Sequence, residues 1–206
     1  MEFYVFLFIL SLTILLFYVI FKYITYEEEW VKASDNNYYL LRNLKLENPE
    51  LQNIFKSQSV EVLSKINRNI IKLLDYIVVK YPEKSWIARL NKNYKRNGKS
   101  LSEATVENGF TSYTIDKEYM HICLRTRDSS EELYDLNTLM YVVIHELAHM
   151  GNYDSRGNPI EGHGIEFVEK FRFLLKQSID LGIYSYQDYS KNPKEYCGIK
   201  IYKNVL

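Results

Sequence analysis

The sequence predicts an α+β chain, with one long apolar helix preceding a domain of short strands and amphipathic helices. Three observations carry that expectation. Phe3 to Phe21 is apolar and uncharged. The stretches around Val60 to Ile77 and Leu136 to Met150 are helical, the first spacing its apolar residues by three and four. Between them, short alternating runs are punctuated by turn residues. At 206 residues the chain is long enough for one well-buried core with an appendage. The expected division is an anchor over 1–22, a linker over 23–29 and a folded domain over 30–206.

In chain order, "FYVFLFILSLTILLFYVIF" carries only Ser11 and Thr13 as small polar interruptions. Its length suffices to cross about 30 Å of hydrocarbon as a helix. It lacks the basic start and small-residue cleavage site of a secretory signal, so a retained single-pass membrane span is expected. Lys22 and Lys32 follow it and no basic side chain precedes it, which favours a cytosolic C-terminal domain. "EWVKAS" and "YYLLRNL" around "DNN" predict a hairpin over Trp30 to Leu41, and "NPEL" at Asn48 then breaks the chain. A helix is expected from about Ser59 to Lys80, stopping before Pro82. "LSEATV", "FTSYTI" and "YMHICLRTR" read as three strands, the last two a hairpin around "DKE". The next helix spans about Leu136 to Met150, capped by Asp135 or by a Ser129/Glu132 box, with Gly151 placed to end it in a left-handed conformation. A glycine-rich polar loop follows, then a helix from about Ile165 that ends before Gly182. The Tyr-rich tail holds one possible strand at Gly198 to Tyr202.

Acidic and basic residues balance at 26 each, so no global field draws the chain to nucleic acid or an anionic surface. A local patch with Lys84, Arg89, Lys92, Lys95, Arg96 and Lys99 near Trp86 and Tyr94 is the one stretch where phosphate pairing and base stacking are conceivable; a solvated helix end is the plainer reading. The two cysteines, Cys123 and Cys197, lie far apart and outside any CxxC pair, so both are expected as free buried thiols. No Asn-x-Ser/Thr glycosylation acceptor occurs.

Three of the four histidines fall between Tyr141 and Phe167. "HELAH" sets His145 and His149 four residues apart, on one helix face, where both imidazoles can share a tetrahedral Zn2+. Glu146 lies one step round the helix, within reach of a metal-activated water and outside the ligand set; this is the pattern of metal-assisted hydrolysis with a carboxylate as general base. A catalytic zinc needs a third protein ligand. His163 is the first candidate, because imidazole suits zinc and Gly162 and Gly164 allow the backbone to turn towards the helix. Glu166 is the second. Glu161 is a further candidate, and Asp154 would complete a HExxHxxGxxD pattern that Gly151 misses by one residue. His121, in a predicted strand, is expected to be structural.

"HELAHM" followed by "EGHGIEF" resembles the SprT-like and WLM zinc metalloproteases, a group that includes Spartan-type DNA–protein crosslink proteases. The likeness runs from about Tyr119 to Leu175, and "YYLLRNL" and "YMHICLR" are similar to viral and algal WLM-like members. The resemblance implies a zincin-like α+β metalloprotease domain with a small antiparallel sheet, an active-site helix and an edge strand that binds substrate in extended form. It further implies zinc on His145, His149 and His163 with Glu146 as general base, and "YMHICLR" as the natural edge strand. Tyr153, Tyr196 and Arg125 are the candidates for stabilising an oxyanion.

The expectation is therefore a membrane-anchored zinc metalloendopeptidase acting on a protein or peptide. One alternative is a catalytically silent, zinc-stabilised binding module tethered to a membrane. The other is a nucleic-acid-associated protease of the crosslink type. Oligomeric state is not legible in the sequence.

Overall fold

In a computed structural model the chain is α+β. The structure describes residues 2–25, 28–44, 46, 48–105 and 111–206, and only the backbone of residues 2, 3 and 22–25. Helix α1 (Glu2–Thr25) is followed by β1 (Glu28–Lys32), β2 (Tyr38–Arg42), α2 (Pro49–Lys80) and α3 (Ser85–Asn93). Then come β3 (Leu101–Glu103), β4 (Tyr113–Ile115), β5 (Tyr119–Ile122), α4 (Leu136–Met150), α5 (Ile165–Asp180), β6 (Lys194–Tyr196) and β7 (Ile199–Ile201).

The stretch Tyr4–Phe21 of α1 is exposed throughout and is long and apolar enough to cross a membrane. Its two polar side chains are satisfied inside the helix: Ser11 donates to the Phe8 carbonyl at 2.7 Å and Thr13 to the Leu10 carbonyl at 2.8 Å. The helix runs to Thr25 and β1 starts at Glu28, while 26 and 27, within the expected linker, lie outside the described residues.

β1 and β2 form the expected hairpin, antiparallel from Glu28↔Arg42 to Lys32↔Tyr38. Asp35 organises its turn by accepting from the Asn37 amide and the Tyr39 hydroxyl, while Asn36 takes the left-handed φ of 64°. The helix expected from Ser59 begins ten residues earlier, at Pro49. Asn48 does not break the chain; its side chain caps the Glu50 and Leu51 amides, and Pro49 occupies the first turn, where a missing N–H costs nothing. The apolar stripe starts only near Val60 because the first turns of α2 are exposed, with Leu51 and Ile54 facing solvent.

The five-stranded sheet has the order β1-β2-β3-β5-β4. It is mixed, not antiparallel as expected. β2 and β3 are parallel because the α2–α3 crossover returns the chain in the same direction, and β3 and β5 are also parallel. β4 and β5 pair antiparallel around a turn in which Asp116 and Lys117 have φ of 53° and 56°. Consequently "YMHICLR" supplies an interior strand, and β4 is the edge. Val106 and Phe110, at the ends of two expected strand runs, lie outside the described residues.

Leu63, Ile66, Ile70 and Leu73 of α2 share one buried core with Leu41, Met120, Ile122 and the α4 residues Leu139, Met140, Val143 and Leu147. α5 lies against α4 through Phe167, Phe171 and Leu174. A second ladder, antiparallel β6–β7, adds a strand the sequence reading lacked. Its turn residue Cys197 is joined to Cys123, so the expectation of two free thiols is overturned: their Cα atoms stand 6.5 Å apart, within the span a disulfide bridges. Sequence separation of 74 residues hid that proximity.

Candidate metal centre

Helix α4 begins and ends where the sequence places it. Asp135 is the cap, accepting from the Thr138 amide at 2.9 Å and its hydroxyl at 2.8 Å, so the Ser129/Glu132 alternative is not used. At the other end Gly151 has φ −91°, not a left-handed value. Space there is tight, since a Cβ would stand 3.0 Å from the Trp86 ring. Gly162 does take the expected left-handed turn, at φ 75°.

The loop between α4 and α5 is held in shape from both sides. The Asn152 side chain donates to the Ile160 carbonyl, and the Ile160 amide donates to the Asn152 carbonyl. Lys170 of α5, almost buried, donates to Asn152 Oδ1 at 2.9 Å, and Lys117 from the β4–β5 turn donates to the Ile160 carbonyl at 2.9 Å. This brace delivers His163 to the face of α4 that carries the other two histidines.

The three Nε2 atoms converge: His145 to His149 is 3.2 Å, and His163 stands 3.0 Å from each. In a neutral imidazole each Nε2 is either donor or acceptor. Among three such atoms at least two are alike, so hydrogen bonding alone leaves one of the three contacts repulsive. A cation instead accepts all three lone pairs, and nitrogens around a tetrahedral zinc at 2.0–2.1 Å stand about 3.3–3.4 Å apart. The observed triangle lies within a few tenths of an ångström of that, so the donor set fits the ion. Burial lowers the His145 pKa to about 3, with His149 and His163 adding to the effect, and lowers that of His149 to about 4. Both lone pairs are therefore free at neutral pH.

Phe167, 2% exposed, packs against all three rings, with centroids 4.8 Å from His145, 4.3 Å from His149 and 4.7 Å from His163. The sequence reading gave this residue only a place in a helical stripe.

Glu146 is 4% exposed and accepts from the Thr114 hydroxyl at 2.8 Å. Burial raises its pKa to about 7, while the Thr114 bond pulls it down. Thr114, which the sequence reading did not single out, lies on edge strand β4, so the carboxylate is tied to the strand that faces the site.

These groups form the floor of a cleft of about 920 Å³. Thr111 to Thr114 make one wall, and Tyr196, Ile199, Ile201 and Lys203 another. The other ligand candidates stand outside the histidine cluster: Asp154 is engaged by Asn158, and Glu161, 82% exposed, by Lys117 at 3.1 Å. Glu166 also lies outside it. His121 sits on β5, bonded through Nδ1 to Ser102 at 2.7 Å and stacked on Tyr113.

Of the oxyanion candidates, Arg125 is buried in a two-pronged pair with Glu103, at 2.7 and 2.6 Å. The Tyr153 hydroxyl accepts from Asn93 at 2.8 Å. Tyr196 lines the cleft, but its hydroxyl donates to the Cys123 carbonyl and contacts Ser112 Oγ, each at 2.8 Å. In the basic patch, Tyr94 is buried against Asn67, Trp86 packs on Phe173, and Arg96 pairs with Asp75 at 2.6 Å. Tyr94 therefore offers no open stacking face, while Trp86 is half-buried.

Over 186 residues the chain is 35% identical to uncharacterized protein R325 of Acanthamoeba polyphaga mimivirus, a match covering 87% of this chain and 85% of that protein. It is 40% identical over 91 residues to uncharacterized protein 042R of Invertebrate iridescent virus 3, and 30% over 89 residues to uncharacterized protein 136R of Invertebrate iridescent virus 6. Those two matches cover 43% of this chain and about half of each viral protein, 50% and 47%. No protein-family model matches the chain, and no solved structure does. The chain belongs to the family of the mimivirus protein R325.

Proposed function

We propose that this member of the R325 family is a zinc-dependent endopeptidase with a zincin-like domain, held at a membrane by α1. The observation that carries the reading is the convergence of His145, His149 and His163 beside the buried carboxyl of Glu146 on the floor of an open cleft. The likeness of "HELAHM" and "EGHGIEF" to the SprT-like and WLM proteases supports it.

His145, His149 and His163 would hold the ion. The chemistry that zinc supplies in such a place is Lewis acidity, which brings the pKa of water towards about 7. Glu146 takes the proton of the attacking water on its carboxyl and returns one to the departing amine. Thr114 holds that carboxyl through Oε2, leaving Oε1 for the proton transfer. An extended peptide adds to the open side of β4, where backbone hydrogen bonds set its register over α4.

Of the two signals for orientation, Lys22 and Lys32 favour the cytosolic side and the Cys123–Cys197 bond favours an oxidising one. The domain is proposed to work where the Cys123–Cys197 pair can form, in an oxidising environment.

The test is digestion of a peptide library by the zinc-loaded full chain in detergent, with Glu146→Gln alongside. The account expects zinc to stay bound in the variant and cleavage to fall by about 10²–10⁴-fold, the usual range for losing a general base. Undiminished cleavage by the variant removes Glu146 from that role.

A further inference from the structure

Part of the cleft lining is made by a piece of chain that belongs to no other sheet. β6 pairs only with β7 among the described strands, yet Tyr196, Ile199 and Ile201 from this hairpin line the cleft, with Lys203 just beyond. Its first strand is anchored by the Tyr196 ring, 1% exposed and packed against Tyr134, and Ile201 of the second packs partly on the core; polar bonds add to these. Tyr196 donates to the Cys123 carbonyl, the Cys197 amide donates to the Tyr134 hydroxyl at 2.8 Å, and Lys194 pairs with Asp135 at 2.6 Å in solvent. Ile199 and Lys200 are exposed, so the outer strand buries little apolar surface.

The turn itself is strained. Cys197 and Gly198 both take left-handed backbone, at φ 46° and 82°. Glycine does so freely, whereas cysteine does so at a cost. What fixes the turn is the covalent link from Cys197 to Cys123, just past the end of β5. Both residues are 3% exposed. The bond thus joins the hairpin turn to the chain just past an interior strand of the main sheet.

We propose that the β6–β7 hairpin is the substrate-selecting wall of the cleft and that the Cys123–Cys197 disulfide decides whether that wall is formed. With the bond closed, β4 and the hairpin line the same cleft, and a bound peptide is held by both. Ile199, Ile201 and Lys203 then present an aliphatic and basic surface, which favours peptides carrying apolar and acidic side chains. A dithiol reductant opens it by two exchanges: the sulfur–sulfur bond breaks, two S–H groups form on the protein, and the reductant closes its own disulfide. The hairpin then keeps Tyr196 and its polar bonds but loses the tie at its turn, so the exposed strand β7 is freed to leave the cleft while the histidine cluster on α4 and its neighbouring loop is untouched.

The inference rests on the peptidase reading of the site, and the experiment separates the two. Full chain in detergent is compared as oxidised protein, as protein reduced with dithiothreitol and alkylated, and as the Cys123→Ser/Cys197→Ser variant. Zinc content, KM and kcat for an acidic-apolar peptide, and tryptic cutting after Lys194, Lys200 and Lys203 are read for each. The expected result for both opened forms is unchanged zinc, a KM raised about tenfold with kcat changed less, and tryptic cuts in the hairpin at least tenfold faster. Equal KM and equal tryptic protection in all three forms, with cleavage intact, overturn the role of the disulfide. No peptide cleavage in any form overturns the peptidase reading beneath it.

Discussion

At the scale of single residues, three imidazoles that hydrogen bonding cannot all satisfy are packed around one phenyl ring. Phe167 touches each of them, so it sets their mutual distances as well as filling the space between α4 and α5. Phe167→Ala is expected to cost about 3–5 kcal/mol in stability, the usual range for emptying a buried phenylalanine. It is also expected to weaken zinc binding, whereas Phe167→Leu restores most of both; thermal unfolding and a competitive chelator titration read the two effects. The ligand histidines were legible in the sequence because i, i+4 spacing and flanking glycines are local signals. Phe167 and Thr114 were not, because their roles depend on α5 and β4 arriving at α4 from elsewhere in the chain. Gly151 does stand at the helix end, but without the left-handed turn expected of it; what crowds the position is the Trp86 ring, which comes from α3.

At the scale of elements, α4 carries the site and its start depends on one carboxylate. Asp135 accepts two bonds from Thr138 and one from Lys194, linking the helix cap to the first strand of the C-terminal hairpin. Asp135→Ala is expected to lose about 1 kcal/mol, as caps generally do. In a chain of this size that lowers the melting temperature by about 2–4 °C. Zinc content should stay unchanged, because the ligands lie towards the far end of the helix; an unchanged melting temperature would show the cap to be dispensable. Helix bounds at α4 and α5 were readable from periodicity and capping residues. The start of α2 was not, because its first turns face solvent and show no stripe, although Asn48 and Pro49 spelled a cap and first turn. Strand order was out of reach as well: hairpins are local, but the parallel pairings of β3 follow from where the α2–α3 crossover sets the chain down.

At the scale of the whole molecule, a long apolar helix precedes a domain in which a mixed sheet backed by α2 and α4 and a disulfide-held C-terminal hairpin line a cleft. The disulfide closes a loop of 74 residues, worth about 4 kcal/mol against the unfolded chain in the loop-entropy account. The fold class and the apolar helix could be read from composition and periodicity. The joining of Cys123 to Cys197 could not, because nothing local marks two cysteines that meet only after β5 and the hairpin are in place. The claim on which the rest depends is that His145, His149 and His163 are ligands of one metal ion. Its most direct test is the zinc-to-protein ratio of the purified full chain, measured for wild type and His163→Ala by elemental analysis after dialysis against a weak chelator. One zinc per wild-type chain and close to none in the variant is the predicted result; a wild-type chain without zinc, or a variant that keeps its full share, contradicts the account.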